Sequence, residues 1–168
     1  MKKTLYAIFA VVFGFTVSGC SQNVNNFEYT HSEMEKGIII TDYNGRRGTL
    51  NIPSQIDELP VTRIGLGAFW DKGLTRVTIP DSIISIGQEA FSENKLKSVT
   101  IPDSVTNIWA GAFLDNQLTS ITIGSNVSIK DRAFESKFDS GFVAFYQAQG
   151  RKAGTYTLRN GTWNVKYR

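Results

Sequence analysis

One cysteine and one histidine stand in 168 residues. With Cys20 as its only cysteine, the chain cannot close an internal disulfide or gather thiolates around a metal. His31, without a second histidine or further cysteines, cannot make a usual zinc site. There is no G-x-S-x-G segment and no phosphate-cradling glycine motif. A Ser-His-Asp set would have to use His31, which lies in a polar stretch beside Glu33 and Glu35. The expectation is an exposed turn histidine, no catalytic set, no metal and no cofactor. Long apolar runs are missing too. Leu5 to Phe15 holds 11 residues broken only by Gly14, too few to span a bilayer comfortably. Charge of one sign is also scarce. Without Lys2 and Lys3, 16 basic residues face 15 acidic ones, a balance that offers no general nucleic-acid surface. The balance is uneven, however. From Lys137 onward six basic residues meet a single acid, Asp139, which leaves a basic tail behind a slightly acidic body.

What the chain does have is repetition. From Val77 it reads VTIPDSIISIGQEAFSENKLKS, and from Val99 VTIPDSVTNIWAGAFLDNQLTS. A shorter unit, ITIGSNVSIKDRAFESKFDSG, starts at Ile121, and a longer one at Leu50. Leu74, Leu96 and Leu118 are 22 residues apart. Phe69, Phe91 and Phe113 keep the same step, and Phe134 follows 21 later. A period of this length signals a solenoid. In each unit Leu, Val and Ile face one way, while Thr78 or Thr100 faces the other, as in a short half-buried strand. Pro80 and Pro102 close those strands, because proline donates no backbone hydrogen bond. The chain then returns through Ile83/Ile86 or Val105/Ile108. One unit cannot bury its apolar face alone, but stacked units can. The four phenylalanines would form a column inside the coil, each worth roughly 1.5–3 kcal/mol on full burial. A two-sheet sandwich with coincidental spacing is the rival that the shared register disfavours.

These residues carry a resemblance. L-x-x-V-T-I-P, Ile86-Gly87-Gln88-Glu89-Ala90-Phe91 and the first unit's L-P-V-T-R-I-G are similar to the BspA-like type of leucine-rich repeat protein, over about residues 37–145. The resemblance implies a mainly β chain: a short leucine-rich repeat solenoid with a parallel strand ladder and a β cap at each end. It departs at Trp109, where other units have Gly65 and Gly87, and at Gly124, which replaces proline. The fold leaves the partner open.

The N-terminus reads as an address. Met1-Lys2-Lys3, the short apolar run and Val17-Ser18-Gly19-Cys20 make a secretory signal peptide over 1–19. The segment resembles a bacterial lipoprotein signal, which implies a lipidated Cys20 as the new N-terminus. Several acyl chains anchor a protein durably where one does not. The alternative is an unmodified cysteine behind a plain signal or anchor. Residues 20–26 form a polar, Asn-rich tether. With Ser21 next to the cysteine, the resemblance implies the outer membrane or cell surface.

Residues 27–49 should be an N-terminal β cap, with Gly37 to Tyr43 its strong strand and Asn44-Gly45 a tight turn. Four repeats of about 22 residues fill 50–141. Residues 142–168 should be a C-terminal β cap. Val143 to Tyr146 reads as a last ladder strand. Two further strands flank Asn160-Gly161, a hairpin signature, with Tyr156, Leu158, Trp163 and Val165 on one apolar face.

The remaining chemistry is surface. The polar ladder positions offer Arg76, Thr78, Lys97, Thr100, Thr119 and Thr122 as candidate ligand contacts. Trp109 is a candidate aromatic anchor. The alternative is that Thr is only a good exposed strand residue and that Trp109 and Trp70 pack over neighbouring loops. The function these features imply is a non-enzymatic, lipid-anchored cell-envelope protein that binds protein or matrix ligands on a concave sheet, and the family resemblance implies adhesion to host or neighbouring-cell proteins as its role. Its partners would be the membrane, through Cys20, and a protein or matrix ligand. A periplasm-facing structural lipoprotein is the alternative, and an envelope hydrolase using His31 a third reading.

Overall fold

The computed structural model describes residues 24–32, 36–135 and 141–168. The expected signal peptide, Cys20, the start of the tether, the turn at Glu33–Glu35, Lys137 and Asp139 all lie outside these residues.

The V-T-I segments form strands as their alternation requires. These are β3 (Gly48–Asn51), β6 (Leu74–Thr78), β8 (Ser98–Thr100) and β10 (Ser120–Ile123) in chain order. β3 pairs parallel with β6, and β8 parallel with β10 in the 22-residue register, Val99 opposite Ile121. Regular pairing lapses between β6 and β8, where the Lys95 N–H donates to the Leu74 carbonyl at 2.8 Å. We call this side the first sheet.

The return path makes a second sheet. β2 (Gly37–Tyr43), β5 (Leu59–Ile64), β7 (Ser85–Ile86), β9 (Asn107–Ile108) and β11 (Ser128–Ile129) run parallel in that order. The short β4 (Gln55–Ile56) pairs antiparallel with β5. Each coil thus carries two strands, with Ile64, Ile86 and Ile108 buried from the second sheet as Leu74, Leu96 and Leu118 are from the first. The Gly37–Tyr43 strand is not merely a lid: it is the first rung of the second ladder.

Between the sheets runs the aromatic column. Phe69, Phe91, Phe113 and Phe134 stack with centroids 5.0, 5.1 and 5.0 Å apart and planes within 12°, the offset geometry that aromatic pairs favour. Aromatic side chains close both ends. Phe27 and Tyr43 pack on Phe69, and Phe142 meets Phe134 edge-on at 4.9 Å.

A second column is polar. Asn94 and Asn116 are buried at the turn before each leucine. The Asn94 amide nitrogen donates to the carbonyls of Phe69 and Phe91 at 2.8 and 3.0 Å, and its oxygen accepts from the Leu74 N–H at 2.8 Å. Asn116 repeats the arrangement one coil on, with Phe91, Phe113 and Leu96. A buried turn must satisfy its backbone groups, and one amide per coil does so here.

The caps differ from expectation in three places. β1 (Phe27–Ser32) runs antiparallel to β2 and closes the second sheet, so His31 is an exposed strand residue and not a turn residue. Val143–Tyr146 is not a strand but part of a helix, α1 (Phe142–Ala148). Its buried residues, Phe142 and Tyr146, are four apart and so share one helical face. That face packs on Tyr156 and, through Phe142, on Trp163. The final hairpin, β12 (Gly154–Arg159) and β13 (Thr162–Tyr167), turns at Asn160-Gly161 with φ of 50° and 74°, as a two-residue turn demands. Its β12 strand pairs antiparallel with β10. The hairpin therefore extends the first sheet instead of only covering its end.

Candidate ligand-binding face

Strand register decides which side chains share the open face of the first sheet. Thr155 lies opposite Thr122 and Thr157 opposite Ser120, while Lys166 and Asn164 lie opposite Thr155 and Thr157. One row across the sheet therefore reads Thr78, Thr100, Thr122, Thr155, Lys166. Thr78 and Thr100 are exposed. Thr122 is not free: it is half-buried, with its hydroxyl 3.0 Å from that of Thr155. Thr119 is exposed, and its hydroxyl donates to the Lys97 carbonyl at 3.4 Å.

Lower on the same face is an open groove of about 410 Å³ lined by Thr49, Thr75, Arg76, Lys95, Lys97 and Gln117. It brings together two of the sequence candidates, Arg76 and Lys97, and adds Lys95, which strand alternation does not single out. Lys95 stands in the loop before β8, outside the period-2 pattern used to choose outward residues. All three cations are exposed, and none forms an ion pair among the described residues. Lys72, by contrast, is paired with Asp42 at 2.8 Å, and that hydrogen bond holds the carboxyl below its ordinary range.

Trp109 belongs to the other side of the coil. It follows β9 in the second sheet, about half exposed, with its indole N–H donating to the Ser85 hydroxyl at 3.2 Å and the Lys130 ammonium 6.0 Å from its ring centroid. At the equivalent position of the previous coil, a Cβ on Gly87 would come within 2.6 Å of the Gly65 backbone. The tryptophan thus stands where its neighbours must be glycine. It shares no surface with Arg76, Thr78, Lys97, Thr100, Thr119 and Thr122. Trp70 is also half-exposed.

His31 lies near the N-terminal end with Tyr29 and Asp57. The Tyr29 hydroxyl donates to Asp57 at 2.6 Å, and this bond, with burial and the carboxylate charge, raises the phenol above its ordinary pKa. The nearby hydroxyl is thereby held protonated, the opposite of an activated nucleophile. Among the described residues no group of three or more His, Cys, Asp or Glu could hold a metal ion, and no helix is long and apolar enough to cross a membrane.

Comparison with known proteins agrees with the coil geometry. The BspA type leucine rich repeat region matches residues 49–150, in six copies. Among solved structures, a leucine-rich repeat protein of T. pallidum is 32% identical with a TM-score of 0.58, over 65% of this chain and 53% of that protein. The chain thus spans about half the length of that relative. A leucine-rich repeat protein from Bacteroides capillosus is 30% identical with a TM-score of 0.54, over 67% of this chain and 88% of that one. No curated protein matches. Solenoids of this kind typically present extended surfaces to other macromolecules. The two-strand coils, the phenylalanine column and the matched repeats lead to one conclusion: the chain belongs to the BspA type leucine-rich repeat family.

Proposed function

We propose that the protein is a non-enzymatic, lipid-anchored protein of the bacterial cell envelope, whose first sheet binds a protein or matrix ligand and so serves adhesion. The observation that carries the binding face is the groove between coils, where Arg76, Lys95 and Lys97 converge without ion-pair partners among the described residues. Cations left unpaired on a sheet of hydroxyl side chains are available to a partner. The anchor rests on the Val17-Ser18-Gly19-Cys20 pattern, and that pattern is what supports an envelope location.

Three experiments test this. Protease added to intact cells cleaves the Asn-rich tether if the protein faces outward. Protection until the cells are broken would instead favour the periplasm-facing structural reading. Cys20→Ser should move the protein from the membrane fraction to the soluble one. For the face, the full chain and its Thr78→Arg/Thr100→Arg variant are compared for capture on immobilised extracellular-matrix protein. Equal capture by both would place the site elsewhere.

A further inference from the structure

The first sheet presents an asymmetry of charge that names a ligand class. From the register, the outward residues of β8, β10, β12 and β13 are serine, threonine, asparagine, arginine and lysine, with no carboxylate and no apolar or aromatic side chain among them. Cations stand at both ends of that field. Arg76, Lys95 and Lys97 line the groove on one side, and Arg159 and Lys166 are exposed on the hairpin at the other. From β6 to β13 there are four strand steps, about 19 Å at the usual spacing. The acids closest in sequence to the groove, Asp71, Glu93 and Asp115, sit in left-handed turns before the strands and do not line it. Asp103, at the rim, is taken up by Arg168 at 2.9 Å.

We propose that this face binds a sulfated polysaccharide laid across the strands, from the Arg76–Lys95–Lys97 groove over the threonine rows to Arg159 and Lys166. The proposal rests on the reading that the first sheet is the ligand face. The groove on this face is lined by Thr49, Thr75, Arg76, Lys95, Lys97 and Gln117, so it suits an anionic chain, free or carried by a matrix protein, better than the buried aromatic or aliphatic anchors of a purely protein interface. Single-stranded nucleic acid needs aromatic side chains on which bases stack, and these are absent. A sulfated sugar chain needs what is present. Sulfates stay ionised and accept the forked and multiple hydrogen bonds of Arg and Lys, while sugar hydroxyls exchange hydrogen bonds with Thr and Ser. The cap hairpin is then part of the site and not only a lid.

The test measures binding of a fluorescent heparin-derived oligosaccharide to the full chain in detergent as NaCl is varied. Three competitors or variants accompany it. Arg76→Gln/Lys95→Gln/Lys97→Gln, all exposed positions, should weaken binding at least about tenfold and flatten the salt dependence by about two to three released ions. Lys36→Gln/Lys130→Gln/Arg151→Gln removes the same charge elsewhere and should weaken it by no more than about threefold. Poly-L-glutamate should compete poorly. No binding of the oligosaccharide, equal loss in both variants, or equal competition by poly-L-glutamate each overturns the proposal. If the oligosaccharide fails while Thr78→Arg/Thr100→Arg still abolishes capture of matrix protein, the face stands and only the ligand class is wrong.

Discussion

Replacing Asn94 by alanine should cost about 4–6 kcal/mol, more than most single changes in a chain this size. The side chain is 4% exposed. Its NH2 has two hydrogens, so of the contacts at 2.8, 3.0 and 3.2 Å only two are full bonds, to Phe69 and Phe91. The Leu74 N–H makes a third with the amide oxygen. Three such bonds contribute roughly 3 kcal/mol net, and an orphaned buried N–H adds about 1–3. Alanine retains none of them. Asn94→Asp is the sharper variant. It keeps the acceptor for Leu74 but turns a carboxylate oxygen toward two carbonyls. An Asp there is held protonated, so its pKa in the fold rises above the ordinary value of about 3.9. Stability of that variant is then present below about pH 4 and is lost as pH rises through the raised folded value. Urea unfolding followed by far-UV circular dichroism, from pH 4 to 8, reads both. A loss for Asn94→Ala below about 1 kcal/mol, or an Asp variant indifferent to pH, would show that the amide column does not hold the coils together.

Other outcomes follow from the same packing. Gly87→Ala should lower stability by about 2 kcal/mol or more, because its Cβ meets the backbone of the coil before it at 2.6 Å; the urea midpoint reports it. Phe91→Ala, in the middle of the stack, should cost about 3–5 kcal/mol, with near-ultraviolet dichroism lost before the far-ultraviolet signal. Raising the pH should loosen the C-terminal cap. Burial, with the neighbouring Tyr146 and Tyr167, pushes the Tyr156 phenol up to about 12, so its contribution is whole below about pH 10 and disappears as pH rises through that higher value. In a Trp70→Phe/Trp109→Phe background, the phenolate absorbance lost in Tyr156→Phe and the remaining Trp163 fluorescence should change in the same interval, and a Tyr156 contribution that titrates near pH 10 with no change at Trp163 would contradict it.

How much was legible beforehand differs from element to element. The phenylalanine column was, since a side chain repeated every 22 residues can meet only its own copies in a stack. The Asn160-Gly161 hairpin was, because few residues tolerate two successive positive φ angles. The helix over Val143–Tyr146 was not, because a short apolar run fits strand and helix alike. Only the cavity left at the end of the column, filled by residues four apart, selects the helix. Asn94 and Asn116 were visible as repeats without a role, since an amide's partners are backbone atoms that no sequence displays. In the candidate site, strand alternation points to Arg76 and Lys97 but not to Lys95, because a loop has no period. Thr122 is a candidate contact by alternation yet half-buried against Thr155 in the fold, because nothing in the chain announces that β12 lies against it.

The residues alone settled that the chain coils, how long each coil is and which side chains point inward, because burial of a repeated apolar pattern has a single economical solution. The tertiary structure decided that each coil holds two strands and that the caps close opposite sheets. It also decided that Arg76, Lys95, Lys97 and Lys166 share one face while Trp109 lies on another. Those relations join residues far apart in the chain, and they come from the register between coils and not from the pattern within one.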